Sequence, residues 1–168
     1  VILFLILVNA FYVAAEFAAV SVRRNMIREM AEGGSKVAAH LLRILENTKE
    51  LDRYIAACQF GITISSLILG AYGQVELSAY LLPLFERFGG MDSVMANSVA
   101  AIVVLVVLTV LQVILGELMP KSLALQFPKQ AALYTYYPMR WTLTFFAWFI
   151  DFLNGSGLLL LKLFRLPH

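Results

Sequence analysis

The sequence predicts an all-α membrane protein with three transmembrane helices, cytoplasmic juxtamembrane helices and an in-plane amphipathic tail, forming one domain over residues 1–168. Three observations carry that expectation. Apolar residues make up 61% of the chain and charged ones only 14%, far from the balance of an ordinary soluble domain. Three runs are each long enough, at about 1.5 Å per residue, to cross about 30 Å of hydrocarbon. The charges gather in blocks between and after those runs. A soluble helical bundle would have to hide all three runs in its core. The net charge of +2 is too slight to argue for a nucleic-acid partner. The single cysteine, Cys58, leaves no internal disulfide, Cys-based metal site or redox pair.

The first span covers residues 1–22, VILFLILVNAFYVAAEFAAVSV, which lacks the basic start of a signal peptide and is richer in large residues than a cleavage region. The second, residues 54–75, carries no charge, and the third, residues 95–118, carries none until Glu117. Between the first two spans, residues 23–53 hold 7 of the 13 Lys and Arg residues: Arg23, Arg24, Arg28, Lys36, Arg43, Lys49 and Arg53. The loop after the second span has only Arg87, and the tail holds the rest. By the positive-inside rule both basic segments are cytoplasmic, with the N-terminus outside and the C-terminus inside. Three spans satisfy that parity.

The juxtamembrane segment 23–53 reads as two short helices broken at Gly33-Gly34. Val37, Leu41, Ile44 and Leu45 recur at helical spacing, which suits a helix lying against the cytoplasmic membrane face. Asn47 with Glu50 three residues on resembles a capping box for a helix running unbroken into the second span. The tail, residues 120–164, contains five Tyr and Trp residues, Pro138, and Asp151 ahead of a Gly-Ser-Gly break. A fourth span over Thr142–Phe164 is long enough. An in-plane or re-entrant helix is preferred, because the aromatic cluster suits the interface and Lys162 and Arg165 stay inside.

The chemistry concentrates in LQVILGELMPKSLAL, residues 111–125. In a helix the amide of residue 120 would donate to the carbonyl of residue 116, but Pro120 has no amide hydrogen and its ring crowds that carbonyl. Gly116 therefore keeps a free backbone oxygen, and Glu117 adds a carboxylate beside it. A broken helix offering such oxygens is what an alkali or alkaline-earth cation site in a transporter needs. The plainer reading is a span that ends at the interface, with Glu117 solvated and Lys121 snorkelling.

Ser21 on the first span and Ser65 and Ser66 on the second add hydroxyls, which more often bond back to their own helix or join neighbours. With no soft ligand, such a set favours Mg²⁺, Ca²⁺ or Na⁺ over zinc or copper. Glu16, deep in the first span, must be protonated, paired or facing a cavity, and is a structural or second-site candidate about 140° around the helix from Ser21. A shared site also strains the levels: Ser65 lies about 18 Å beyond Arg53, and Ser21 only about 3 Å before Arg23. His40 and His168 read as ordinary surface residues, and the chain has no paired-His motif. No nucleophile–base pair or phosphate loop points to an enzyme.

NAFYVAAEFAAVSVRRNMIREM, LDRYIAACQFGITISSLILGAYGQ and ILGELMPKSLAL, in that order and spacing, resemble the transmembrane domain of the CorC family, bacterial relatives of the cyclin M (CNNM) magnesium transporters. The Gly-Glu-x-x-Pro-Lys element is the most specific part and Ala-Glu-Phe-Ala is next. The resemblance implies three spans, a cytoplasmic bundle with a belt-like helix after the third span, and a homodimer in a bacterial inner (plasma) membrane. It implies Mg²⁺ export driven by Na⁺ entry, and alternating access around a single site is the mechanism expected of it. Carried over residue by residue, the ligands of the transported Mg²⁺ are Ser21, Ser65, the Gly116 carbonyl and Glu117, with Ser66 the alternative to Ser65. Family members continue into paired nucleotide-binding regulatory domains, whereas this chain stops at FRLPH, as an excised domain or a short form. The rival reading from the same residues is a Mg²⁺-sensing membrane anchor that regulates other transporters.

Overall fold

The computed structural model describes residues 1–88 and 92–167, and those residues form helices without strands. Helix α1 runs Ile2–Ser21, α2 Arg24–Glu32, α3 Lys36–Glu46, α4 Thr48–Phe88 and α5 Ser93–Leu111. A π-helical turn, Gln112–Leu118, then leads without interruption into α6, Met119–Gln126, followed by α7, Pro128–Phe145, and α8, Ala147–Leu163. Among the described residues, three helices are each long and apolar enough to cross a membrane: Ile2–Ser21, Thr48–Leu84 and Val94–Gln126. Only 33%, 33% and 22% of these windows are buried within the chain. The remaining apolar surface, including Phe4, Leu7, Leu67, Ile102 and Leu105, exceeds what a monomer leaves in water and is the surface hydrocarbon covers.

Small residues set the helix packing. α1 lies at the centre, against α4, the π turn, α6 and α7. Ala15, Ala18 and Ala19 on α1 and Ala57 on α4 are all buried, so the backbones approach closely. A Cβ at Gly61 would lie 2.5 Å from the ring of Tyr12, and one at Gly73 would lie 2.7 Å from Leu108. These two glycines hold α4 against α1 and α5. Tyr12 Oη also shares a 2.9 Å hydrogen bond with Thr142 Oγ1 of α7.

The juxtamembrane segment breaks where its glycines are. Gly34 adopts φ 100, a left-handed conformation that glycine takes without a Cβ clash, and Ser35 Oγ then caps α3 by accepting from the Ala38 amide at 3.2 Å. Asn47 Oδ1 accepts from the amides of Lys49 and Glu50 at 3.1 and 3.4 Å, so α4 starts there and continues unbroken through the second span. Arg28 and Glu46 join α2 to α3 with a 2.6 Å ion pair, which raises the Arg28 pKa first through its hydrogen bond and then through charge. The apolar stripe of α3 does not face lipid. Ala38, Leu41 and Leu45 are buried with Ala18, Val22, Ile27, Ala124, Ala132 and Tyr136, because α1, α6 and α7 converge over that face. His40 stacks on Tyr136 at 6.2 Å; His168 lies outside the described residues.

The tail turns by 82° between α7 and α8, which rules out a straight span over Thr142–Phe164. The corner is pinned to α4, where Phe60 sits 5.1 Å from both Phe146 and Phe149. Farther along, Asp151 pairs with Arg53 Nε at 3.0 Å and accepts from Nη2 at 3.3 Å.

Replacing Gly61 by Ala drives a methyl into the near edge of the Tyr12 ring and should lower the thermal unfolding midpoint in detergent, by the equivalent of about 1–3 kcal/mol. At Gly70 a Cβ meets nothing within 4 Å, so Gly70→Ala should leave the midpoint where it is.

Candidate ion site

At the crossing of α1, α4 and the π turn, four polar side chains and one carbonyl form a closed circuit. Gln112 Nε2 donates to Ser66 Oγ at 2.6 Å. Ser66 Oγ donates to Asn9 Oδ1 at 3.0 Å, and Asn9 Nδ2 donates to the Gly116 carbonyl at 3.0 Å. The chain of donors begins and ends on the π turn, having passed through α4 and α1. Ser65 Oγ stands within 3.0 Å of Asn9 Oδ1 and 2.7 Å of the Gly61 carbonyl. Its one proton serves the shorter of these or is shared, since a hydroxyl donates once. Asn9 is 0% exposed and Ser65 3%, while Ser66 and Gln112 are half-buried, so the circuit is closed to solvent at Asn9 and reaches toward the surface at Gln112.

The π turn explains why the carbonyl is available. Pro120 is buried and has no amide hydrogen, so Gly116 loses its ordinary helical partner. The helix widens rather than breaking, contrary to the expectation of a broken element. The Met119 amide donates to the Ile114 carbonyl five residues back, and Leu111 and Met119, which bound the turn, keep helical dihedrals. Such single-turn π segments accommodate an extra residue and recur at functional sites. The missing Cβ at Gly116 matters as well, because one would meet Asn9 Nδ2 at 3.0 Å.

One helical turn away, a cavity of about 220 Å³ is lined by Glu16, Phe17, Gln59, Glu117 and Lys121, with Val13, Ile62 and Leu118. Gln59 Nε2 donates to Glu16 Oε1 at 2.7 Å. The Lys121 ammonium lies 4.7 Å above the centre of the Phe17 ring, a cation–π contact. Glu16 is therefore paired and faces a cavity, the state its depth requires. Two carboxylates and one ammonium leave this chamber formally one negative charge in excess.

Of the residues singled out in the sequence, Ser65 and Gly116 meet through Asn9. Glu117 follows Gly116 directly and faces the adjoining chamber. Ser66, the alternative to Ser65, stands within the same circuit. Ser21 does not join them: it ends α1, twelve residues and about 18 Å along the helix from Asn9. Asn9 and Gln112 were missed, because neutral amides leave a hydrophobic run formally uncharged. The available signal was their position, Gln112 one turn before Gly116 and Asn9 in the middle of an otherwise apolar span.

The model of the cyclin M transmembrane N-terminal domain matches the chain over residues 1–168. The UPF0053 protein YhdT of Bacillus subtilis is 40% identical over 162 residues, covering 96% of this chain and 34% of its own length. YugS of the same organism is 38% identical over 160 residues, covering 95% and 36%. A Haemophilus influenzae protein named polyamine export protein is 25% identical over 164 residues, covering 96% and 36%. The chain thus spans about a third of the length of these relatives.

Gly116→Ala pushes a methyl against Asn9 Nδ2 and should weaken the bond that closes the circuit, lowering thermal stability by about 1–2 kcal/mol. Differential scanning fluorimetry beside the wild type reads the change.

Proposed function

The chain belongs to the cyclin M transmembrane N-terminal domain family, and from that premise we propose that it is the membrane domain of a Mg²⁺ transporter, exporting the ion against Na⁺ entry by alternating access. The observation that carries this reading is the set of hard oxygens at the three-helix crossing, the Gly116 carbonyl and Ser65 hydroxyl with the Glu117 carboxylate beside them. Oxygen-only donors suit Mg²⁺, which demands near-octahedral geometry at about 2.0–2.1 Å and gives up its water reluctantly. The acidic chamber of Glu16 and Glu117 is the antechamber, concentrating cations next to the site. Ser21, at the cytoplasmic end of α1, stands on the path to it rather than at its level.

The π turn is the movable element, since it can pass between π and α pairing with small changes in backbone dihedrals. The functional unit is a homodimer in a bacterial inner membrane, with the N-terminus outside and the basic blocks in the cytoplasm.

A second reading takes an organic ammonium as the cargo. Lys121 already holds an alkylammonium over Phe17 in the chamber of Glu16 and Glu117, and a relative is named for polyamine export. The sensor reading shares the same oxygens and differs only in flux.

Proteoliposomes containing the purified chain should show Mg²⁺ flux that depends on a Na⁺ gradient and is lost in Glu117→Ala. Tight Mg²⁺ binding without flux would favour the sensor, and spermidine flux without Mg²⁺ flux the organic cation. Pro120→Ala restores an amide donor to the Gly116 carbonyl and should weaken Mg²⁺ binding about tenfold or more. Unchanged affinity in a titration calorimeter would count against the freed carbonyl as a ligand.

A further inference from the structure

Building on the ion-site reading above, we propose that Asn9 is a switchable ligand of that site, its carboxamide turning over as the cation binds. Asn9 presents the positive end of its amide, Nδ2, to the Gly116 carbonyl at 3.0 Å. A cation held by that carbonyl needs the same oxygen and repels the same N–H group. The two ends of a carboxamide are nearly the same size, and half a turn about Cβ–Cγ exchanges them. Oδ1 then faces the Gly116 side as a neutral hard-oxygen ligand, the donor class Mg²⁺ and Ca²⁺ take.

The exchange leaves each polar group of the circuit a partner. Nδ2 moves to the side of Ser65 and Ser66, whose oxygens have lone pairs to accept it. The Ser65 proton is served by the Gly61 carbonyl, already 2.7 Å away. Ser66 continues to accept from Gln112 and turns its own proton back to the carbonyl four residues earlier, the ordinary resting place of a helical serine. The flip therefore costs little in hydrogen bonding, and the cation alone decides its direction. In one orientation Asn9 fastens α1 to the π turn, and in the other the ion does. Binding and release are thereby coupled to how the three helices are joined.

The test is Mg²⁺ affinity, by titration calorimetry on the purified chain, for Asn9→Asp and Asn9→Leu beside wild type and Glu117→Gln. Asp offers oxygen at both positions and has no amide to give Gly116, so Asn9→Asp should bind about tenfold or more tightly, while its flux in proteoliposomes falls because release slows. Leu fills the space and offers no oxygen, so binding should weaken about tenfold or more. An Asn9 that served only to pack would weaken binding in both variants, and the buried carboxylate would harm more. Folded Asn9→Asp that binds no more tightly than wild type overturns the proposal. Should that variant fail to fold, Gln112→Leu decides: it loosens the hold on Oδ1 through Ser66 and should tighten binding a few-fold, and unchanged or weaker binding overturns the proposal. Loss of binding in Glu117→Gln without a gain in Asn9→Asp sinks only the flip. Wild-type binding in Glu117→Gln and both Asn9 variants sinks the ion site itself.

Discussion

A polar group buried at membrane depth has no water to fall back on, and one left unpaired costs several kcal/mol. The Gly116 carbonyl is such a group, because Pro120 removes the amide that would have satisfied it. Everything at the helix crossing follows from finding that oxygen a donor. Asn9 of α1 supplies one, Ser66 of α4 holds Asn9 in place, and Gln112 of the π turn holds Ser66. One missing hydrogen atom thus recruits three helices. The resulting junction is specific in a way that apolar contacts in a bilayer are not, since lipid tails compete for every leucine and none competes for an amide.

The circuit closes only if the helices come close enough, and the small residues set that distance. Gly61 lets the Tyr12 ring lie against the α4 backbone, Gly73 receives Leu108, and Gly116 leaves room for the Asn9 amide. Each glycine faces a different neighbour. Together they fix α1, α4 and the third span at separations that a methyl group would increase.

Much of this architecture was legible in the sequence, for physical reasons that differ by element. The spans announce themselves through length without charge. Gly33-Gly34 marks the break between α2 and α3 because Gly34 takes a left-handed conformation, and Asn47 marks the start of α4 because its side chain can accept from two orphan amides. The freed carbonyl of Gly116 followed from the covalent structure of Pro120 alone. What stayed hidden depended on which faces meet. The α3 stripe reads equally well for lipid and for protein, and only the convergence of α1, α6 and α7 decides it. Asn9 and Gln112 are unremarkable as residues and decisive as neighbours. Ser21 was legible as a hydroxyl but not as a level along the helix, and the levels of α1 and α4 separate it from Ser65. The answer of a proline-deprived helix, to widen instead of breaking, was likewise not readable from the motif.

The pairing of Arg53 with Asp151 has a mechanical consequence. Arg53 and Ser65 stand on the same uninterrupted helix, about 18 Å apart by its rise per residue. Phe60, between them, is gripped by the aromatic rings that open α8. A helix transmits rotation about its own axis far better than a loop does, so α8 grips α4 as a spanner grips a shaft. Torque applied to α8, outside the crossing, reaches Ser65 and Ser66 with no hinge in between to absorb it.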